Sequence, residues 1–459
     1  MGIPFYFASL IRKHKNVLRQ FVRKNDVCTN LCLDSNSIIY DAVRTLKWTP
    51  DTDTTLFELE LIEAVCSKLD EYLTMANPRR VFIAFDGPPP MAKMKQQRER
   101  RYKGKGEGGS GWDTVQITPG TSFMLRLDDA LVAHFKGYET RYDFFKLSTS
   151  AEPGEGEHKL FEWLRTAPVG PTFVYGLDSD LIILALHHLK YTEGIHMMRE
   201  FKEEMKLLDI AKLATQIEEV VGAGKLFDYI FMVFFLGNDF LPHFPALNLR
   251  TKGLDILLQT YSQTIAKHEL MYDGAQICWK NVHKLVHALA QREERDIVRE
   301  YTDRGKLAVE NTEENTPRIE RQVEHYINPT ESGWEHRYYM SLLKTEPTKL
   351  ALDKICAAFY EMLAWNTLYY TSGCPNWDVY YPFMYPPLLK DLDKHPLTTT
   401  PTWEPSLPKT TTELLSFVLP EEKRGFAPTP LVGGSPKLVE QYWAFSTFLW
   451  ESHLLFVEK

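Results

Sequence analysis

Apolar residues recur in two different rhythms along the first 250 positions of the chain. Short, largely unbroken runs at Val27–Leu33, Arg80–Phe85 and Thr172–Leu177 have the length and composition of buried strands. Between them lie stretches with helical spacing, such as Leu56–Met75 and His158–Arg165. Strands separated by helices predict an α/β fold with a mainly parallel central sheet flanked by helices. From about 251 to 330 the pattern is helical and increasingly charged, with Gln291–Arg299 and Asn311–Arg321 rich in Glu and Arg. The second of these reads as an exposed connector, a solvated face rather than a site. Residues 331–395 are dense in aromatics and start with helical spacing over Leu350–Tyr370. Leu397–Pro408 is a Thr/Pro loop, and mixed apolar character returns through Trp443–Val457. The organisation expected is a unit over 1–250, a helical connector over 251–330, and a mostly helical, aromatic-rich part over 331–459 that packs on the first. No internal repeat is visible.

Composition narrows the function classes. The chain has 459 residues, 44% hydrophobic and 25% charged, enough to bury a sizeable core in two or three domains. Aromatics make up 13%, most of them expected as core filler, with some free to stack on bases. The net charge of −8 excludes a wholesale polycation, so nucleic-acid binding has to come from a local basic patch. Six sparse cysteines without a Cys-x-x-Cys pair argue against zinc and for reduced thiols in an intracellular compartment, cytoplasmic rather than nuclear. The longest apolar run, Tyr229–Gly237, is far short of the roughly 18 to 20 residues a membrane span needs. The N-terminus lacks a signal-peptide pattern, and Tyr6 stands where myristoylation wants Ser or Thr. The expectation is a monomer with no membrane partner.

Acids fall at the strand ends. Val27–Leu33 runs into Asp34, Val81–Phe85 into Asp86, and Phe173–Leu177 into Asp178 with Asp180 two residues on. Ligands gather at the carboxyl edge of parallel sheets, where acids distant in sequence converge. Glu155 and Glu157 sit in Pro153-Gly-Glu-Gly-Glu-His158 at the start of a helix, and Asp239 follows the apolar stretch Tyr229–Leu236. One Asp after a strand is ordinarily a turn residue or helix cap. Seven at corresponding positions point further. Clustered carboxylates repel unless something positive sits among them, and hard oxygen donors suit Mg²⁺ or Mn²⁺. No His accompanies them in ligand spacing apart from His158, which is taken as structural. The pattern fits a two-metal site acting on a phosphodiester, one ion acidifying an attacking water and the other stabilising the leaving oxygen.

The local basic patch lies beside Asp86. Between Arg79 and Lys105 there are nine Lys and Arg against two acids, and Pro88-Pro-Pro90 precedes a run of good helix formers. On that helix Lys93, Gln97, Arg100 and Arg101 share one face at i, i+4, i+7 and i+8. Such a face is either simply solvated or able to hold a terminal phosphate by charge-assisted hydrogen bonds near the acids.

Several blocks together resemble the Xrn family of 5′→3′ exoribonucleases. They are Met1-Gly-Ile-Pro4, Leu33-Asp-Ser-Asn36, Phe85-Asp-Gly87, Ala92-Lys-Met-Lys-Gln-Gln-Arg98, Ile117-Thr-Pro-Gly-Thr121, Glu152-Pro-Gly-Glu-Gly-Glu-His-Lys159, Tyr175-Gly-Leu-Asp-Ser-Asp180 and Gly237-Asn-Asp-Phe-Leu-Pro-His243. Gly333-Trp334, Arg337-Tyr-Tyr339 and Trp377-x-x-Tyr-Tyr-Pro382 extend the match more thinly. The resemblance implies a fold related to flap endonucleases and PIN-like nucleases. It implies divalent metals, Mg²⁺ with Mn²⁺ as a substitute, on Asp34, Asp86, Glu155, Glu157, Asp178, Asp180 and Asp239 as the catalytic set. It also implies a 5′-monophosphate pocket made by Lys93, Gln97, Arg100 and Arg101. The expected activity is removal of mononucleotides from single-stranded, 5′-monophosphorylated RNA, contributing to mRNA decay and excluding capped or triphosphate ends.

Two departures stand out. Tyr40 occupies the position of a family His that stacks on the first base, and Trp377-Asp-Val379 replaces a pair of tryptophans, leaving Trp377 as the second stacking residue. The chain is also shorter than cellular members, which points to a compact version of the kind a large DNA virus carries. Two other readings of the acids remain: a structure-specific flap DNA nuclease and an inactive RNA-binding scaffold.

Overall fold

A computed structural model describes residues 6–49, 51–103, 111–265, 269–306 and 320–434, together with the backbone of a hairpin near the end of the chain. The Met1–Pro4 block, Lys105, most of Asn311–Arg321 and most of Trp443–Val457 lie outside the described residues. Seven strands form one sheet: β1 (Leu18–Gln20), β2 (Asn30–Asp34), β3 (Arg80–Ala84), β4 (Phe144–Ser148), β5 (Thr172–Tyr175), β6 (Ile195–Phe201) and β7 (Glu204–Asp209). Their order is β1-β7-β6-β5-β2-β3-β4. β6, β5, β2, β3 and β4 are parallel, β7 runs antiparallel beside β6, and β1 runs antiparallel to β7. A separate antiparallel pair, β8 (Lys437–Tyr442) and β9 (His453–Val457), forms that terminal hairpin.

The three expected strands are the centre of this sheet, and their period-two alternation feeds two cores. Leu31, Leu33, Val81, Ile83, Phe173 and Tyr175 point to one face, against the helices Asn36–Thr45, Thr54–Ala76 and Ser122–His134. Cys32, Phe82, Ala84 and Val174 point to the other, against Gly156–Leu164, Asp180–His188, Ile210–Val221 and Leu226–Val233. Asp53 starts the helix Thr54–Ala76 by accepting from Leu56 N at 3.0 Å, and left-handed Asn77 (φ 46°) ends it.

The later aromatic segment belongs to the second of these cores. Lys349–Thr371 is one long helix, as its spacing predicts, and its Phe359, Tyr360, Leu363 and Trp365 are fully or almost fully buried there. Burial of each such side chain contributes about 1.5–3 kcal/mol. The run Tyr229–Gly237 is equally buried, as a helix followed by the 3₁₀ turn Phe234–Leu236. Among the described residues no helix is long and apolar enough to cross a membrane. All six cysteines carry free thiols.

A close backbone crossing fixes where the acids meet. After β3 the chain turns at Gly87, whose N–H donates to Gly154 O at 2.9 Å, and Gly154 N–H donates back to Pro88 O at 2.9 Å. A Cβ on Gly87 would stand 1.8 Å from Glu152 O, so this crossing requires glycine. We predict that Gly87→Ala costs about 3 kcal/mol in urea unfolding, whereas Gly111→Ala, whose Cβ would meet nothing within 4 Å among the described residues, stays within about 0.5 kcal/mol. Equal stability of the two variants would contradict the crossing.

Candidate active site

The register of the sheet sets the acids side by side. Asp34, the last residue of β2, pairs with Ala84, two residues before Asp86, while Leu33 pairs with Tyr175, three residues before Asp178. The Gly87–Gly154 crossing then brings in the turn that carries Glu155 and Glu157. Gly156 between them approaches so closely that a Cβ there would lie 2.8 Å from Asp34 Oδ1. Its N–H donates to Asp86 Oδ1 at 2.6 Å.

One cavity of ≈ 160 Å³ is lined by Asp34, Asp86, Glu155, Glu157 and Asp178, together with Lys93, Gln97, Arg100, Arg101 and Tyr40. Five of the seven acids, the whole expected basic face and one expected stacking residue therefore share a single site. Asp239 stands behind it, its side chain 5% exposed, joined to Lys93 Nζ at 2.6 Å. Asp180 is buried and acts electrostatically on Glu157. Trp377 is placed elsewhere, lining a separate cavity with Gly154 and His158.

The helix Met91–Lys103 is held by its other faces. Met94 packs with Leu414, Leu415 and Val418 of the helix Thr411–Val418, and the Arg98 guanidinium lies 4.2 Å from the centre of the Phe417 ring. Lys95 Nζ donates to Tyr381 O at 2.9 Å. On the cavity side, Arg101 is buried, with Nε donating to Thr118 Oγ1 at 2.9 Å and Nη2 to Ile117 O at 3.3 Å. Gln97 is 6% exposed and its Oε1 has no partner among the described residues. Arg100 is exposed at the rim.

Lys93 is bound to the acids. Its Nζ lies 2.5 Å from Glu155 Oε2 as well as 2.6 Å from Asp239 Oδ2. Burial opposes its charge, but Asp239 and Glu155 hold the ammonium well above its usual range. Burial also opposes the charge of Asp239, yet Lys93 keeps it well below the usual carboxylate range. Burial, then Asp86, Asp178 and Glu155, push Asp34 well up. Burial, then Asp180 and Glu155, do the same to Glu157. Burial followed by Asp239 raises Asp180 to about 7.

Two contributors carry no separate signal in the sequence. Asn36 clamps Asp86, donating through Nδ2 to its Oδ2 at 2.6 Å and accepting its backbone N–H at 3.1 Å. Its presence in the Asp34-Ser-Asn36 block was the available hint. Tyr369 donates to Glu155 Oε1 at 2.8 Å and stacks on His158 with centroids 3.7 Å apart. It comes from the helix Lys349–Thr371 and could not be told from core aromatics. His158 lies in this stack with its side chain 11% exposed, and desolvation holds its pKa well below the usual imidazole range.

The donor set is all oxygen: neighbouring carboxylates raise the proton affinity of Asp34, Glu157 and Asp180, and the Lys93 ammonium is bonded directly to Glu155 and Asp239. That chemistry fits hard divalent cations. Among the described residues no three of these side chains already close into a ready ion-binding group.

Comparison with known proteins places the chain. The model described as the XRN 5′-3′ exonuclease N-terminus matches residues 1–110 and 105–201, and the Xrn1 helical domain matches 225–329 and 310–430. The chain is 25% identical to 5′-3′ exoribonuclease 2 of Debaryomyces hansenii, the match covering 85% of this chain and 60% of that protein. It is 23% identical to 5′-3′ exoribonuclease 1 of Saccharomyces cerevisiae, covering 93% of this chain and 40% of that one. The chain thus spans 40 to 60% of the length of these relatives. The catalytic core of Rad2 in complex with a DNA substrate overlays with a TM-score of 0.39 at 12% identity, covering 82% of this chain and 96% of that one.

The raised carboxylates make a stability prediction. A carboxyl whose folded pKa lies above its unfolded value stabilises the fold below the unfolded pKa, and that stability is lost as pH rises through the folded pKa. Asp180, at about 7, sets the window between pH 6 and 8. In chelator the protein is expected to melt higher at pH 6 than at pH 8, with magnesium closing the gap. Asp180→Asn should flatten the metal-free pH dependence, and a flat wild-type profile would contradict the electrostatics.

Proposed function

The chain belongs to the XRN 5′-3′ exonuclease family, and from that premise we propose that it is a magnesium-dependent 5′→3′ exoribonuclease acting on single-stranded RNA with a 5′-monophosphate. It releases mononucleotides and so contributes to RNA decay. Residues 1–250 form the nuclease part in this reading, 251–330 a connector and 331–459 a second part that supports it. The observation that carries the proposal is the shared cavity: carboxylates on one wall, and Gln97, Arg100 and Arg101 on the other, within ≈ 160 Å³.

Asp34, Asp86, Glu155, Glu157, Asp178, Asp180 and Asp239 are the residues to hold divalent ions. Magnesium, when bound, supplies Lewis-acid stabilisation of charge on the scissile phosphate and acidification of water. The chain's own groups do the positioning. Asn36 and Gly156 N–H fix both oxygens of Asp86, and Tyr369 and Lys93 fix both oxygens of Glu155. Arg100, Arg101 and the Gln97 amide bind the terminal phosphate by charge-assisted and polar hydrogen bonds. Lys93 joins that pocket to the acids, setting the distance from the phosphorylated end to the bond that is cut. Tyr40 stacks on the first base from the cavity wall. The small volume excludes a triphosphate or cap, which gives the end preference.

The test is a timed digestion of RNAs identical except for a monophosphate or triphosphate 5′ end, with and without chelator. Monophosphorylated RNA is expected to disappear into mononucleotides only with magnesium, and triphosphorylated RNA to persist. Asp178→Ala should slow cleavage at least about a hundredfold with RNA binding retained. Arg101→Ala should reduce the end preference about tenfold. Equal rates on both ends, or faster cleavage of a flapped DNA, would overturn the proposal.

A further inference from the structure

Strand β5 ends at Tyr175, three positions before Asp178. As the chain leaves the sheet, Gly176 N–H donates to Met198 O of β6 at 3.3 Å. At the next position of β6 the tie is made by a side chain instead. Arg199 Nη2 donates to Leu177 O at 3.0 Å, at the peptide that joins Leu177 to Asp178. Both Leu177 and Asp178 line the acid cavity.

One hydrogen bond from a long side chain fixes little, but this guanidinium is also held by its flat face. Arg199 Cζ lies 3.7 Å from the centre of the Phe7 ring. Phe7 is 8% exposed in the helix Tyr6–Lys13, and Phe201 meets it edge-on, with ring centres 5.7 Å apart and planes at 75°. A planar cation clamped on a ring loses less freedom for each hydrogen bond it makes. Arg199 Nε is buried without a hydrogen-bond partner, and among the described residues Arg199 forms no ion pair. Burial works against its charge, and Asp178 works for it. Lys93 bonds carboxylate oxygens of Glu155 and Asp239. Arg199 bonds the carbonyl next to its acid and does not itself occupy the Asp178 oxygens.

We propose that Arg199 is a positioning residue: clamped on Phe7, it fixes the Leu177–Asp178 peptide so that the Asp178 carboxylate is presented to a divalent ion. The clamp rests on the contacts of Arg199; its effect on metal binding and cleavage rests on the function proposed above. Positioning and simple charge have opposite signs here. A cation that only adds to the local field repels a divalent ion, so its loss tightens metal binding. A residue that holds a ligand in place weakens metal binding when it is lost.

Hydrogen exchange of the full chain in chelator tests the clamp without metal or RNA. Arg199→Met should speed exchange over Gly176–Asp180 at least about tenfold and leave β2 unchanged. Lys202→Met, which removes an exposed cation from the turn after β6, should change neither. In manganese titration without RNA, Arg199→Met should bind at least about tenfold more weakly. Arg199→Lys keeps the charge without the planar stack and should fall between it and the wild type, by about threefold. On monophosphorylated RNA, Arg199→Met should lose kcat at least about tenfold with KM within about threefold. Circular dichroism checks that each variant folds, and Arg199→Lys carries the test if Arg199→Met does not. Unchanged exchange over Gly176–Asp180, or manganese binding that tightens in Arg199→Met, overturns the proposal. Manganese binding weakened by Asp178→Asn but not by Arg199→Met overturns it as well. If Asp178→Asn itself leaves manganese binding unchanged, faster exchange upholds the clamp and the metal reading of the acids fails, so the two failures are distinguishable.

Discussion

The buried ammonium of Lys93, held between Glu155 and Asp239, is the interaction on which the site depends. Seven carboxylates gathered at one sheet edge are mutually repulsive in a low-dielectric setting, and no amount of backbone geometry removes that repulsion. Lys93 offsets part of it at the point where three chain segments meet: the basic helix, the turn at Pro153–His158 and the loop after Leu236. The same helix then extends Gln97, Arg100 and Arg101 along its face into the same cavity. One residue therefore belongs to both halves of the proposed chemistry, the acids and the phosphate grip. Breaking a buried pair of this kind by removing one partner is far more damaging than its net contribution suggests.

The late part of the chain is structural support for that arrangement. Tyr369 fixes Glu155 from the long aromatic helix. Leu414, Leu415 and Phe417 back the basic helix from the far side, through a helix opened by a Thr410/Glu413 capping box. The Trp377 carbonyl accepts Met91 N–H at 2.9 Å, at the first residue of the basic helix. Tyr369, 214 positions from Glu155, thus helps to hold the site's geometry.

Much of this was legible in the sequence, for physical reasons. The central strands are buried on both faces, so they read as continuous apolar runs, and the acids at their ends fall where parallel topology gathers ligands. The strands outside this centre left weaker traces. β4 is mostly half-exposed, and the β6–β7 hairpin turns at Lys202 and Glu203, both at positive φ without the Gly or Asn that ordinarily marks such a turn. The basic face was legible because 3.6-residue spacing is a property of the chain itself. Which partner Lys93 takes, the clamp by Asn36 and the contact from Tyr369 all depend on tertiary approach, which spacing does not encode. Trp377 shows the same limit. Its aromatic character was evident, but its place beside Gly154 follows from how the two halves pack.

The most direct measurement is anomalous diffraction from crystals of the full chain grown with manganese and an RNA ending in a 5′-monophosphate. The account predicts manganese peaks among Asp34, Asp86, Glu155, Glu157 and Asp178, with the terminal phosphate against Gln97, Arg100 and Arg101. Manganese bound elsewhere, or a terminal phosphate lying away from that helix face, would contradict it.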